Sequence, residues 1–197
     1  MRKIITINRQ FSSGGREIGK RLSEVLGIDY FDRELIDLIA KETNLHPDFI
    51  STHQESYLSM RFSFTYGRTF SISAPPITEQ LQITQTNIIK DLAKSNDCII
   101  VGRCASHILE NEALKVLIYS SDMEQRIDRC YDKVPEDRLK SREEMRKDIL
   151  AVDKNRGKYH LYYTGKKWLD IENYNVCIDT SKISVEQAVS MLAGLFK

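Results

Sequence analysis

The sequence has almost no excess of charge, with 29 lysine and arginine residues against 28 aspartate and glutamate residues in a chain of 197. A near-neutral chain has no global field that attracts nucleic acid or a membrane surface, so we expect neither as a partner. Any recognition of phosphate must therefore be local. The length suits one sizeable core, and we expect a single domain over residues 1–197.

Long apolar runs are also missing. After Met1, Arg2 and Lys3 the chain passes into a strand-length apolar segment rather than the long apolar run of a signal peptide. No segment approaches the length of a membrane span, and no internal repeat or low-complexity tract is present. We therefore expect a cytoplasmic protein.

The cysteines lack the C-x-x-C spacing of a zinc or redox site, which favours reduced thiols. They are Cys98, Cys104, Cys130 and Cys177. A nucleophilic Cys104 would need a histidine partner, and the sequence offers none at a fixed spacing, so this role is not favoured.

The most informative segment joins an apolar strand at 4–8 to an amphipathic helix through a turn of serine and glycine. Ile18 and Leu22 recur at helical spacing, and Gly27 is suited to end that helix. A second short strand at 29–31 completes a βαβ unit. Because the first helical turn has unpaired N–H groups and the positive end of the dipole, the junction favours an anion. The residues expected to hold phosphates are Ser12, Ser13, Gly14, Gly15, Arg16 and Glu17.

The phosphate-loop pattern G-x-x-x-x-G-K-[S/T] is only partly present. A register from Gly14 would start the helix at Lys20 and leave it barely two turns, although the apolar stripe already begins at Ile18. In the other register the loop starts near Arg9 and the helix near Gly15. We adopt the second register.

In that register Gly15 and Arg16 stand where lysine and the hydroxyl residue usually stand. Arg16 can contact phosphates, but it cannot replace a metal-bound hydroxyl. A metal ligand would have to be a carboxylate such as Glu17 or Asp32. Taken alone, the segment is also compatible with a glycine-rich turn that only begins a helix.

Strands and helices alternate along the rest of the chain. Short apolar runs typical of buried parallel strands lie at 97–102, 114–119 and 176–178. Helices are predicted at 32–41, at 78–94 with Thr78 as the cap, and at 184–196. This alternation predicts an α/β fold with a parallel sheet covered by helices on both faces.

In such a sheet, ligands bind at the carboxyl ends of the strands. Asp32 and Arg33 follow the second strand, and Gly102 and Arg103 follow the third, so we expect them beside the phosphate loop. The aromatic alternation at 62–70 predicts a hairpin or a flap. Its side chains are as compatible with core filling or a homodimer contact as with ligand binding.

Residues 122–164 are dense in charge. Interleaved acids suit a solvated helix, but a charged helical lid would also supply the cations that phosphoryl transfer needs. Arg126 and Arg129 share a helix face, as do Asp153 and Arg156. A simple intrahelical ion pair remains the alternative for the second pair.

These motifs together resemble the cytidylate kinase-like proteins, relatives of the bacterial cytidylate kinases among the nucleoside monophosphate kinases. The likeness rests on S-S-G-G-R-E-I-G-K-R-L, Y-F-D-R, V-G-R, D-K-N-R, Trp168 and I-D-T-S. It implies a P-loop nucleoside monophosphate kinase-like fold with a helical lid at about 122–164 and a variable acceptor-side insertion at about 43–95.

The resemblance also implies ATP and Mg²⁺ as cofactors and a nucleoside monophosphate as acceptor, CMP being the first candidate. The donor triphosphate would lie on residues 12–17. The acceptor would lie on Asp32, Arg33, Gly102, Arg103, Asp153 and Arg156. The catalytic cations would be Arg16, Arg126, Arg129 and Arg156.

Two departures from the family keep other functions open. The R-D pair that precedes D-S-x-R in cytidylate kinases falls on Ile149 and Leu150, and Cys104 replaces the aspartate after G-R. The alternatives are a nucleotide-binding regulator without activity and a kinase of another small acceptor.

Overall fold

The computed structural model describes residues 2–48, 50, 76–133 and 140–196. Five strands form one parallel sheet in the order β2-β3-β1-β4-β5. They are β1 (Ile4–Arg9), β2 (Asp29–Phe31), β3 (Cys98–Val101), β4 (Leu114–Tyr119) and β5 (Val176–Asp179). The predicted parallel α/β architecture is confirmed.

Helices cover both faces of this sheet. Over the described residues they are α1 (Gly15–Leu26), α2 (Glu34–Thr43), α3 (Pro76–Ser95), α4 (Ala105–Ile108), α5 (Met123–Tyr131), α6 (Arg142–Thr164) and α7 (Val185–Gly194), with a 3-10 turn at Ile171–Asn173. None of the helices in the described part of the chain combines the length and the hydropathy that crossing a membrane requires.

The core divides along the sheet because successive strand residues point to opposite faces. Ile99 and Val101 of β3 pack in the cluster that contains the apolar side chains of α1 and α7. Cys98 and Ile100 of the same strand pack in the cluster that contains those of α2, α3 and α4. The strand is buried on both faces, as its continuous apolar run predicts.

The observed first residues of α1 and α3 can be compared with the predicted ones. Helix α1 begins at Gly15 and ends before a left-handed Gly27, which confirms the second register of the loop. Helix α3 begins at Pro76, so Thr78 lies inside it and the prediction of Thr78 as its cap was wrong. Proline suits the first helical position, because its missing N–H is not needed there and its φ is already helical.

The helix predicted at 184–196 is α7, which Ser184 caps in a capping box with Gln187. The predicted hairpin at 62–70 lies outside the described residues. The parallel strands bring their carboxyl ends to one edge of the sheet, where residues 10–14, 32–33 and 102–104 follow β1, β2 and β3.

Candidate active site

The loop between β1 and α1 is a tight turn with two left-handed residues, Ser12 with φ 59° and Gly14 with φ 83°. Gly14 is the N-cap of α1, and no described side chain caps this helix end. The N–H groups of the first turn are therefore left for an anion, which the helix dipole also favours.

Hydrogen bonds hold the loop to the sheet. The hydroxyl of Ser13 lies 3.0 Å from the carbonyl oxygens of both Gln10 and Ile118. The hydroxyl of Thr180, just after β5, donates to the carbonyl of Ser13 at 2.8 Å. The loop is thus fixed to β4 and to the end of β5 before any ligand binds.

Arg126 and Asp153 hold the other side of the loop. Nε of Arg126 donates to the carbonyl of Phe11 at 2.9 Å, and the N–H of Phe11 donates to the carboxylate of Asp153 at 2.7 Å. The two side chains also form an ion pair with each other, and Arg126 is only 3% exposed. We call this group the Phe11 clamp.

The clamp contains two residues that were predicted to serve the ligands. Arg126 was predicted as a catalytic cation and Asp153 as an acceptor contact, but in the structure both are occupied by the backbone of Phe11. The reason is that α6 crosses directly over the phosphate loop, so that Asp153 meets α5 and the loop. Asp153 therefore pairs with Arg126 of α5.

A cavity of about 310 Å³ lies against the phosphate loop, and we call it the loop cavity. Its wall includes all the residues predicted to hold the donor, together with Arg129 and Lys133 from the region of α5. The guanidinium of Arg129 lies against Gly14, at a spot that a side chain on residue 14 would fill. Arg129, which was predicted as a catalytic cation, thus lies beside the N-terminus of α1.

A second cavity of about 220 Å³ lies at the carboxyl ends of β2 and β3, and we call it the strand-end cavity. The predicted acceptor residues Asp32, Arg33, Gly102, Arg103 and Arg156 all line it. The remaining lining residues are Asn8, Arg9, Arg16, Ile36, Val101, Cys104, Tyr159, His160 and Trp168.

The two cavities share four lining residues, and all four are arginines: Arg9, Arg16, Arg33 and Arg156. Arg156 Nη1 donates to the carbonyl of Arg9 at 3.0 Å, and its guanidinium lies 5.6 Å from the centre of the Phe11 ring. These four arginines thus lie where the two cavities meet.

Asp32 is the carboxylate of the strand-end cavity and is 8% exposed. It pairs with Arg16 and lies 3.5 Å from Arg9. Burial, followed by the charge of Arg156, lowers the pKa of Arg9 to about 9, so Arg9 stays protonated at neutral pH. Five arginines against one carboxylate favour a ligand that carries more than one negative charge.

The turn after β3 has an unusual backbone, because Gly102, Arg103 and Cys104 are consecutive left-handed residues with φ values of 82°, 54° and 54°. Such a conformation costs about 1–2 kcal/mol at each residue that has a Cβ. Gln85 of α3 is fully buried and donates to the Arg103 carbonyl at 3.1 Å and to the Tyr159 hydroxyl at 3.2 Å. These bonds tie the turn to α3 and α6.

Sequence reasoning missed Arg9 and His160. Arg9 had a signal, since a cation directly at the end of a buried strand occupies the first glycine of the phosphate-loop pattern. His160 had none, because only the packing of α6 places it in the strand-end cavity wall. It is 4% exposed, its Nε2 has no hydrogen-bond partner among the described residues, and burial lowers its pKa to about 4.

Within the described part of the chain, the residues near the loop do not form a set of free magnesium ligands. Mg²⁺ is held by oxygen ligands, commonly one or two carboxylates with substrate phosphates. Glu17 is engaged by Arg21 at 2.7 Å, Asp32 is engaged by two arginines, and position 16 has no hydroxyl. Over the described ranges no three His, Cys, Asp or Glu residues cluster around a common point.

Cys104 is not a nucleophile in this structure. It is 3% exposed, and burial raises the pKa of its thiol to about 12. A thiol in this environment stays protonated and unreactive at neutral pH.

The solved structures most relevant here share the fold. An uncharacterised protein from Eubacterium ventriosum is 25% identical with a TM-score of 0.70, and the match covers 98% of this chain and 96% of that one. A shikimate kinase from Bacteroides thetaiotaomicron is 12% identical with a TM-score of 0.55, covering 100% and 99%. The YorR protein of Bacillus subtilis, solved in complex with phosphorylated GDP, is 12% identical with a TM-score of 0.51, covering 98% and 95%.

A search of curated proteins found no match. The comparison with protein families matches residues 4–182 to the cytidylate kinase-like family. That range contains all five strands, the phosphate loop and the four shared arginines. The chain therefore belongs to the cytidylate kinase-like family.

Proposed function

We propose that the protein transfers the γ-phosphoryl group of ATP to a nucleoside monophosphate, and that CMP is the first acceptor to test. One observation carries this proposal: two adjoining cavities share four residues, and all four are arginines. A phosphoryl group needs such a boundary when it moves between two bound molecules, because charge on its oxygens must be neutralised throughout the transfer.

The loop cavity suits the donor phosphates. The open N-terminus of α1, the guanidinium of Arg129 and the ammonium of Lys133 all border it. A wider hollow of about 600 Å³ continues from it between α5 and residues 180–187, and shares Glu17, Arg129 and Lys133 with it. This hollow has the room for the nucleoside part of ATP.

The reaction at the boundary is an exchange of one P–O bond for another. The bond from the γ-phosphorus to the bridging oxygen of ADP breaks, and an oxygen of the acceptor phosphate forms a new bond to the same phosphorus. ADP and a nucleoside diphosphate leave. Arg9, Arg16, Arg33 and Arg156 would hold the two phosphate groups in line and offset their charge.

A phosphate acceptor fits the state of Asp32. A phosphate monoester is largely dianionic at neutral pH, because its second pKa is about 6, so it attacks without giving up a proton. A hydroxyl acceptor would need a general base, and Asp32 is the carboxylate available in the described cavity wall. Its pairing with Arg16 and Arg9 favours charge recognition over proton removal.

The donor is proposed as the magnesium complex of ATP in solution, the metal serving as a counter-ion of the phosphates. Glu17 and Asp32 are the carboxylates near those phosphates, but each is already paired with cations. The catalytic contribution of this chain is therefore the placement of arginines and backbone amides.

The test is a coupled ADP-release assay with Mg²⁺ and ATP across CMP, UMP, AMP, GMP and their deoxy forms. We expect one monophosphate to raise ADP release above the acceptor-free rate and an Arg156→Met variant to lose that increase. The absence of stimulation by every monophosphate would refute the proposed acceptor class.

A regulator that binds nucleotides without turnover is the second candidate. It is favoured by the absence of lysine at position 15 and of a hydroxyl at position 16. Calorimetry separates the two functions, since tight ATP binding without ADP release with any acceptor would identify the regulator. Turnover with a small hydroxyl compound instead would identify a kinase of another acceptor.

A further inference from the structure

Arg9 and Gly15 have exchanged the roles that the phosphate-loop pattern gives to its first glycine and its lysine. In the register confirmed by the start of α1, Arg9 falls on the first glycine and Gly15 falls on the lysine. The pattern has glycine at the first of these positions and a cationic side chain at the second. Here the cationic side chain, Arg9, is at the first position and glycine is at the second.

Steric exclusion explains the exchange. A Cβ atom on Gly15 would lie 2.5 Å from the Cβ of Arg9, and 3.2 Å from both the Cγ of Arg9 and the Cβ of Ile118. Non-bonded carbon atoms pack well at about 3.5–4.0 Å, so the two Cβ atoms cannot coexist without a backbone shift. With this backbone, only one of the two positions can carry a Cβ atom.

The guanidinium of Arg9 extends to the boundary between the cavities. It lies 3.5 Å from the carboxylate of Asp32 and directly against Gly102, where a side chain would occupy the same space. The left-handed φ of 82° and the missing Cβ at Gly102 open this passage. Asp32 balances one charge of a crowded group of arginines, so an arriving phosphoryl group would relieve their mutual repulsion.

We infer that Arg9 supplies to the transferring phosphoryl group the positive charge that lysine supplies in the usual phosphate loop, and that Gly15 is glycine because Arg9 occupies its space. This inference rests on the proposed function for the role of the charge. The steric half of it stands on geometry alone.

The steric half is tested by thermal melting of the wild-type protein and three variants. Gly15→Lys should lower Tm markedly, because its Cβ meets that of Arg9. Adding Arg9→Gly should restore much of the loss, whereas adding Arg9→Ala should not, because alanine keeps the Cβ atom. Equal rescue by alanine and glycine, or no loss in Gly15→Lys alone, would overturn the exchange.

The charge half is tested by kinetics with the acceptor that the wild-type protein uses. Arg9→Ala should reduce kcat by about 10²–10³-fold, the effect of removing one preorganised donor from a transition state. The double variant Arg9→Gly/Gly15→Lys should regain at least ten-fold over Arg9→Gly. Arg2→Ala is the matched control, since Arg2 lies beyond the opposite end of β1 and its side chain donates to the Ala93 carbonyl. Unchanged kcat in Arg9→Ala would overturn the inference.

If the wild-type protein transfers phosphate to no acceptor, the proposed function fails and the charge is tested through binding. ATP should then raise the Tm of wild type and Arg2→Ala, and raise that of Arg9→Ala much less. An equal ATP-induced shift in Arg9→Ala would show that Arg9 does not serve the phosphates.

Discussion

Removal of Asp153 should destabilise the protein through the Phe11 clamp. In Asp153→Ala the buried guanidinium of Arg126, 3% exposed, loses its counter-charge, and the N–H of Phe11 loses its acceptor. Breaking a buried ion pair from one side costs about 3–5 kcal/mol, because the remaining charge is left desolvated. That is a large part of a total stability of about 5–15 kcal/mol.

The clamp also predicts strong non-additivity. Arg126→Met should cost less than Asp153→Ala, because the remaining carboxylate of Asp153 is 12% exposed and keeps the Phe11 N–H as a donor. The double variant removes both charges, so its loss should be smaller than the sum of the single losses by about 2 kcal/mol or more. Asp153→Asn keeps an oxygen for Phe11 and should fall between wild type and Asp153→Ala.

Urea unfolding at 25 °C and pH 7, followed by far-UV circular dichroism, measures these differences in the free energy of unfolding. Arg142→Ala is the control for loss of an arginine ion pair, since Arg142 bridges Glu124 and Asp128 on the surface and should change stability little. Single losses that add to the double loss within about 0.5 kcal/mol would refute a coupled clamp.

Further predictions concern pH and the two cavities. Because the folded-state pKa of His160 is about 4 and its ordinary value is 6.5, the unfolded state binds the extra proton between these pH values. The contribution of His160 to the free energy of unfolding should therefore be fully present above pH 6.5, and the free energy should fall by up to about 3 kcal/mol as the pH is lowered to 4. The variant His160→Gln should remove this pH dependence in urea titrations at several pH values. Arg129→Met should weaken ATP binding about 10–100-fold in calorimetry and leave the KM of the acceptor unchanged. A change in the KM of the acceptor with unchanged ATP affinity would place Arg129 outside the donor site. Asp32→Asn should lower kcat less than about 10-fold if the acceptor is a phosphate, because loss of a true general base costs about 10²–10⁴-fold and alters the pH profile of kcat.

Short-range sequence pattern was enough to predict most of the strands and helices of this protein. The apolar stripe beginning at Ile18 placed the start of α1 near Gly15, and the helix predicted at 184–196 is α7. These predictions hold because helical periodicity acts over a few residues. The prediction of Thr78 as the cap of α3 was wrong, because the helix begins two residues earlier, at Pro76, and proline can begin a helix as well as interrupt one.

The contacts of the side chains at the site were harder to predict from the sequence. Ser12 to Glu17, Asp32, Arg33, Gly102 and Arg103 were expected at one sheet edge, and they do line the two cavities. Arg126 and Asp153 were predicted as a catalytic cation and an acceptor contact, and their contacts with the backbone of Phe11 were not predicted. Two helices distant in sequence must meet before such a contact exists, and no spacing within either helix reveals it.

The amino-acid sequence alone determined the parallel sheet, the glycine-containing loop at the end of β1 and the sheet edge at which the two cavities lie, because buried strands and helix starts depend on short-range sequence pattern. Only the tertiary structure decided that four arginines from three parts of the chain form one boundary, and that Arg9 fills the space above Gly15. Those outcomes depend on distances of a few ångströms between residues far apart in the chain, and packing of the whole core sets them.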